Sequence, residues 1–466
     1  MSKPPHPPTA RWRDLFVRRH VASLLVIGLA VTLHAADGLL VATMLPVIVA
    51  DIGGTHLMSW VVMLYEVGSI IVGASSGYLL IRFGLRYPMA LCALSFALGC
   101  GISAAASTMP TMLWGRLFQG LGGGGLMAMS FVAVTTLFER YLRARAIALI
   151  STLWAGSAFL GPLIGGVFVE FATWRLAFWT FATAALALTI FIWIMASPIA
   201  ETSHARGTWP VGRLTLLATG ILCIAFAGEE ISLVRTPLLI ALGSLLLVGF
   251  LYLDGRTPKG RLLPRCDPLL RDRASATIGM VVAFAAGTIT IGAYAPFFLV
   301  TLHGLSPLQA GYLIAIEAVA WAGVAALVSG RPESQDCMMI AIGLITVVAG
   351  VIGLWLFIAS GPVLLVAFAA LLQGAGFGMA WSFIPRFATA GQTDTESALI
   401  SAAIPTAQRI GYALGAALLG MVANASGISH TPDPQTASTV FAIGLPLVLL
   451  GLLCLAKLSR SESHRI

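Results

Sequence analysis

Charged side chains set inside long apolar runs are the first residues in this sequence that can do chemistry. Asp37, Glu66, Arg116 and Glu317 each interrupt a run long enough to cross a bilayer, and Arg409 is a fifth, nearer the end of its run. A charge in hydrocarbon is costly, so such residues pair with one another or line a polar pathway. Burial favours the neutral form of a carboxyl, and a neighbouring guanidinium favours the charged form. A carboxyl held between those pressures can load and release a proton as its access to water changes. By residue count Asp37 and Arg116 share a middle-to-outer depth, which makes them candidate partners. Glu66 and Glu317 each lie nine residues past the start of their runs, roughly 14 Å deep at 1.5 Å per residue. An anionic pocket at that depth suits a cationic, lipophilic molecule. The plainer alternative for each of the five is an ion pair or hydrogen bond that only holds helices together.

Positioning these residues takes membrane spans. With 58% hydrophobic and 10% charged residues and a mean hydropathy of +0.93, the chain has too little polar surface to coat a soluble globule. A span needs ~20 apolar residues. Fourteen runs qualify: 21–50, 57–80, 87–107, 110–137, 146–169, 176–197, 212–229, 236–253, 274–302, 308–329, 337–359, 361–385, 397–424 and 437–456. The pair 212–229 and 236–253 is the weakest, and losing both leaves twelve. An even number puts both termini on one side. With that side cytoplasmic, all but four of the 27 lysines and arginines fall in inner loops or tails; Arg175 and Arg235 fall outside, and Arg116 and Arg409 within spans. That is the positive-inside bias of a multi-pass protein in a plasma or inner membrane. The net charge of +8 is spread over short loops, so the lipid bilayer is an expected partner and nucleic acid is not. The first eighteen residues are polar, proline-rich or basic and lead into the first run without a small-residue cleavage site, so no cleavable signal is expected.

Two patterns bear on how the spans pack. Gln119-Gly120-Leu121-Gly122-Gly123-Gly124 recurs as Gln373-Gly374-Ala375-Gly376-Phe377-Gly378, and Trp60–Glu66 aligns weakly with Gly311–Glu317, setting Glu66 over Glu317. Repeated halves with a site at their interface are a common plan for secondary transporters. The run from Ile147 to Val169 carries Gly156, Gly161, Pro162, Gly165 and Gly166 in the spacing G-x-x-x-x-G-P-x-x-G-G. Proline removes a backbone donor, so a bend is expected there, and the glycines clear one face for a close neighbour. By itself this is a kinked, tightly packed helix.

Other patterns carry less. Gly120–Gly125 satisfies G-x-G-x-x-G and Gly73–Gly77 satisfies G-x-S-x-G, but neither follows a strand, and both fit small-residue helix contacts better. Only three lysines occur and none ends a glycine-rich phosphate loop, so no ATP site is expected and uphill work must draw on an ion gradient or a separate subunit. The six cysteines (Cys92, Cys100, Cys223, Cys266, Cys337, Cys454) are scattered without metal-ligand spacing, so no metal is expected. Asn424-Ala425-Ser426 is a formal glycosylation sequon, meaningful only in a eukaryotic secretory membrane.

Several segments together resemble the drug:proton antiporters of the major facilitator superfamily, in their fourteen-helix branch. His34–Pro46, with Asp37 and Leu45-Pro46, is similar to the first-helix motif L-D-x-T-I-V-N-V-A-L-P. Arg116–Gly122 matches the fourth-helix R-x-x-Q-G-x-G, whose arginine is linked to proton transfer. The Gly156–Gly166 stretch resembles the fifth-helix antiporter motif, and Trp174-Arg175-Leu176-Ala177-Phe178 the W-R-x-x-F that follows it. Pro296–Leu299 and Gly304–Gly311 look like the ninth-to-tenth-span signature of this branch, and Glu317 lies where some members that export divalent cations carry an acid. One departure stands out. Gly77, Arg82, Gly84 and Arg86 keep the cytoplasmic gating loop, but Ile81 replaces an aspartate that helps latch the halves in relatives. That leaves the gating equilibrium and the direction of transport open.

The resemblance implies an all-α polytopic membrane protein of the major facilitator fold: two pseudo-symmetric six-helix bundles plus two inserted central helices. The expected organisation is a cytoplasmic tail (1–20), an N-terminal bundle (21–198), a linker with two extra spans (199–273), a C-terminal bundle (274–457) and a cytoplasmic tail (458–466). The expected function is proton-coupled export of amphipathic, cationic drug-like compounds by a monomer that is not an enzyme and needs no cofactor beyond a proton gradient. Asp37 and Arg116 would carry proton coupling, Glu66 and Glu317 cation recognition, and Gly156, Gly161, Pro162, Gly165 and Gly166 the seam favouring export. Export of a lipid, siderophore or metabolite, uncoupled facilitation, and a non-transporting sensor or scaffold are the alternatives.

Overall fold

In lipid every backbone polar group must be satisfied within the protein, which leaves an apolar chain of this kind the helix. The computed structural model describes residues 12–139, 141–195, 209–257, 261–264, 272–428 and 433–463, and no strand occurs among them. Of the basic residues counted as inner, Lys3, Arg11, Arg140, Arg206, Lys259, Arg265, Arg271 and Arg465 lie outside the described residues, as does Cys266.

Fourteen helical segments, numbered as spans 1 to 14, follow one another among the described residues. The first six are Arg18–Ile52, Met58–Phe83, Arg86–Ala104, Met109–Leu137, Arg143–Phe171 and Trp174–Met195. The seventh and eighth, Val211–Ala227 and Arg235–Arg256, form the inserted pair. The ninth is two stacked helices, Arg273–Thr288 and Thr290–Thr301; the tenth and eleventh are Pro307–Val328 and Asp336–Phe357. The twelfth joins Val363–Trp381 to Ile384–Thr389, the thirteenth is Asp394–Ala425, and the fourteenth joins Pro434–Ala442 to Gly444–Ser463. Twelve of these are long and apolar enough to cross a membrane. The seventh, of 17 residues, and the thirteenth, of 32 residues with Pro405 inside it, complete the fourteen.

The two six-span halves are built by the same contacts. A Cβ on Gly120 would stand 2.2 Å from the Tyr65 carbonyl oxygen, and one on Gly374 would stand 1.9 Å from that of Glu317. One turn later Gly124 lies on Ser69 and Gly378 on Trp321, while Gly122 and Gly376 each press on the preceding span, at Cys92 and Gly343. Only glycine allows such backbone-on-backbone approach. These contacts match Tyr65, not Glu66, with Glu317, and so correct the alignment read from the sequence by one residue. One residue is about 100° around a helix, and the two acids therefore face different surroundings.

The halves meet from mid-membrane to one end, the end carrying loops 53–57 and 302–306 and the turn 426–428. Under the sidedness read from the arginines this is the outer end. There Gly420 presses on Ser59, and Asn424 donates to the carbonyls of His56 (3.1 Å) and Gly228 (2.9 Å). Its amide is thus spent on joining the outer loops. Toward the other end the facing spans part: a Cβ added at Gly77, Gly156 or Gly323 would meet nothing, and Leu327 is 83% exposed. The molecule is closed at the end carrying these loops and more open at the other. The inserted pair packs on one flank, span 7 against spans 13 and 2, while span 8 has 11% of its apolar stretch buried. Asp254 at the inner end of span 8 binds Arg213 and accepts from the amides of Leu262 and Leu263, which anchors the linker.

Candidate functional site

Span 1 is apolar on all sides, yet Asp37 sits within it wholly buried. Span 4 brings Arg116 to it, with Nη1 donating to Asp37 Oδ2 at 2.7 Å, and the two side chains are 0% and 3% exposed. The guanidinium is held on every side. Nη1 also donates to Gln119 Oε1 (2.8 Å), Nε donates to the Val61 carbonyl (3.1 Å), and the group lies 4.4 Å from the centre of the Tyr65 ring. Gln119 is fixed in turn by donating to Cys100 Sγ at 3.1 Å. The motif spacing is explained by this: Arg116 and Gln119 are three apart and share one helix face, and Gly120 lets Tyr65 come close enough to cover the arginine. Asp37 Oδ1 has no hydrogen-bond partner in the structure, although it is buried.

A second cluster joins the halves one turn away. Tyr65 Oη lies 2.7 Å from His34 Nδ1, and His34 Nε2 lies 2.7 Å from Arg409 Nη2. Arg409 Nη1 donates to Glu66 Oε2 at 3.0 Å, with the two side chains 18% and 12% exposed. A guanidinium has donors only, so Nε2 must be the lone-pair nitrogen of a neutral imidazole. Its proton is then on Nδ1 and is donated to Tyr65, whose own hydroxyl turns toward the His34 carbonyl at 3.4 Å. Trp154 closes the other face of the imidazole with ring centres 5.6 Å apart. Arg409 lies at the middle of Asp394–Ala425, not near a span end as expected from the sequence; the run 397–424 is itself centred beside it. The Glu66 carboxylate is therefore engaged by an internal cation in this state.

Glu317 sits elsewhere. Its Oε1 accepts from Gln373 Nε2 at 2.8 Å within the second half, in the place that Tyr65 takes in the first. The glycine-rich span packs on span 1: a Cβ on Gly161 would stand 2.9 Å from the Ala36 carbonyl oxygen, one on Gly165 2.9 Å from that of Leu40, and one on Gly166 2.4 Å from Leu308 of the other half. The helix runs through Pro162 without interruption, and Pro162 faces Gly311. Gly156 borders open space and takes no part in this seam. In the gating loop Gly84 has φ 69°, a left-handed turn suited to glycine. Arg86 donates to the Trp193 carbonyl and covers its ring at 4.7 Å, whereas Arg82 and Ile81 are exposed. Trp174 and Arg175 donate to Asp51 Oδ2 at 3.1 and 2.5 Å, pinning the outer ends of spans 1 and 6. Among the described residues no cluster of three or more His, Cys, Asp or Glu could hold a metal ion.

The family model described as Major Facilitator Superfamily matches residues 27–416. The chain belongs to the Major Facilitator Superfamily. This facilitator is 31% identical over 446 residues to a probable multidrug-efflux transporter of Mycobacterium tuberculosis (strain H37Rv), with 89% of the chain and 90% of that protein covered. It is 24% identical over 439 residues to the multidrug efflux pump SdrM of Staphylococcus aureus (strain N315), covering 93% and 96%. Among solved structures, a peptide transporter POT in complex with alafosfalin has a TM-score of 0.68 at 17% identity, covering 94% of each chain. The xylose transporter XylE of Escherichia coli has a TM-score of 0.58 at 15% identity, covering 92% and 97%. The protein is thus an integral, multi-pass transporter with the facilitator fold.

Sequence reasoning about this facilitator did not single out His34, Tyr65 or the Arg409–Glu66 bridge. The one available signal was a histidine three residues before Asp37 in an otherwise apolar run, on the helix face that also carries the acid.

Proposed function

We propose that this facilitator is a proton-coupled antiporter that exports amphipathic, cationic drug-like compounds. The observation that carries the reading is the Asp37–Arg116 pair: a buried carboxylate with one oxygen on a guanidinium and the other without a partner. A proton on Oδ1 neutralises the acid and leaves Arg116 held by Val61, Gln119 and the Tyr65 face. With Asp37 neutral, Arg116 keeps these contacts but loses its counter-charge, so the two protonation states differ in stability. Glu317, held by Gln373 in the second half, and Glu66, once Arg409 releases it, supply negative charge for a cationic compound entering from the inner end. The names of the relatives support efflux of several compounds rather than one metabolite.

In this reading the energy source is the proton gradient, with no further cofactor. The protein acts as a monomer in the plasma or inner membrane, with both termini cytoplasmic and the bundles 21–198 and 274–457 rocking about the site between them. The test uses inside-out vesicles with an imposed proton gradient and a panel of cationic and neutral lipophilic compounds. At least one cation should dissipate the gradient with the parent protein and not with Asp37→Asn. If Asp37→Asn dissipates it equally, proton coupling through Asp37 is wrong.

A further inference from the structure

We infer that His34 is a second proton-carrying residue, whose Nε2 holds either a proton or Arg409, and that this choice governs opening of the outer gate. The inference rests on the antiporter reading only for its place in a transport cycle; the gate itself is read from geometry.

Arg409 belongs to span 13 and His34 to span 1, so their 2.7 Å contact exists only while the halves are closed at the outer end. A proton on Nε2 would set N–H against N–H and cation against cation. The closed state therefore requires neutral His34, and an opened state, with Arg409 withdrawn, accepts either form. By linkage, protons favour the opened state. Every group facing the imidazole fits this assignment. Tyr65 of span 2 takes the Nδ1 proton, and so points the lone pair at Arg409. Glu66 of span 2 holds Arg409 in place. Arg116 of span 4 lies beyond the Tyr65 ring and is neutralised by Asp37 of span 1. Span 5 offers Trp154, which carries no charge.

The step on closing balances simply. The Nε2–H bond of the imidazolium breaks and its proton passes to water at the partly exposed Arg409–Glu66 pair. The electron pair stays on Nε2 and accepts the Arg409 Nη2–H. Closure at the outer end thereby expels a proton toward the inner side, the direction an exporter driven by inward proton flow needs.

The test is hydrogen–deuterium exchange of the full-length protein at about pH 7.5 and about pH 5.5, corrected for the intrinsic effect of pH on exchange. Segments 53–63 and 418–428 report the outer gate. In the parent protein their protection should fall at the lower pH, by up to about tenfold per pH unit where His34 titrates. His34→Gln keeps a side-chain acceptor for Arg409 but cannot titrate, and its protection should be the same at both pH values. Arg409→Gln removes the competing charge, and should be poorly protected at both. A parent without a pH response, or His34→Gln with the full parental response, overturns the inference. If His34→Gln does not fold, Arg409→Gln decides alone: a parental pH response there refutes it. A gate that responds through His34 in a protein that moves no protons with any compound would sink the antiporter reading and leave this inference standing.

Discussion

Replacing Asp37 with Asn tests whether the buried pair is held by charge. The substitution keeps shape and leaves an oxygen for Arg116 Nη1, but it removes the counter-charge of a guanidinium that is 3% exposed. Breaking a buried pair from one side costs about 3–5 kcal/mol, because a charge is left without compensation. Three contacts remain to Arg116, from Val61, Gln119 and the Tyr65 ring, which places the expected loss near the lower figure. At about 2–4 °C per kcal/mol for a unit the size of one bundle, the melting temperature in detergent should fall on the order of 10 °C. Asp37→Asn/Arg116→Gln removes both charges and should recover at least half of that fall. Neither variant should carry out gradient-driven transport. The assay is thermal unfolding of purified protein alongside vesicle transport for parent, both single variants and the double. Unfolding of Asp37→Asn within about 2 °C of the parent, or a double variant as unstable as the single, would refute the charge argument.

Gly374→Ala puts a Cβ 1.9 Å from the Glu317 carbonyl oxygen and should destabilise by about 1–3 kcal/mol through overpacking, whereas Gly77→Ala, where the Cβ meets nothing, should unfold at the parental temperature or slightly above. Gly161→Val wedges span 5 off span 1 at Ala36; substrate binding by fluorescence should persist while vesicle transport is lost, and full transport would contradict the seam. Asn424→Ala leaves the His56 and Gly228 carbonyls without their donor; about 1 kcal/mol of lost hydrogen bonding should raise exchange in segment 53–58 about fivefold, and unchanged exchange would show that this contact does not hold the outer end.

What the sequence disclosed follows from the range over which its signals act. Apolar length and arginine placement mark the spans because lipid imposes them helix by helix. Asp37 and Arg116 stand out because a charge in an apolar run is visible alone, and depth by residue count brings them together. The bridge from Arg409 to Glu66 joins residues 343 positions apart in different halves, and no spacing rule reaches that far. His34 is neutral, so it gives no charge signal at all. The repeat was readable in Gln119–Gly124 and Gln373–Gly378, but its register was not. Glu66 and Glu317 match as letters, while the contacts of Gly120 and Gly374 fix the true correspondence one residue away. A single-residue slip costs nothing in a weak alignment and turns a side chain by about 100°.

The inserted pair breaks the two-fold symmetry of the facilitator in a way that matters for membrane-dissolved molecules. The two halves have two lateral seams, one between spans 2 and 13 and one between spans 5 and 10. Span 7 lies along the first, touching both of its walls, and span 8 backs it on the lipid side. Among the described residues neither inserted helix lies against the second, where Phe159 and Tyr312 face each other with ring centres 5.7 Å apart. One flank of the parted cleft is thus shuttered and the other is bare to the hydrocarbon. For the lipophilic compounds proposed as substrates, that bare flank would be a one-sided doorway from the hydrocarbon. Bulk added on spans 5 and 10 below Phe159 should slow its loading, while the same bulk on span 8 should leave loading unchanged.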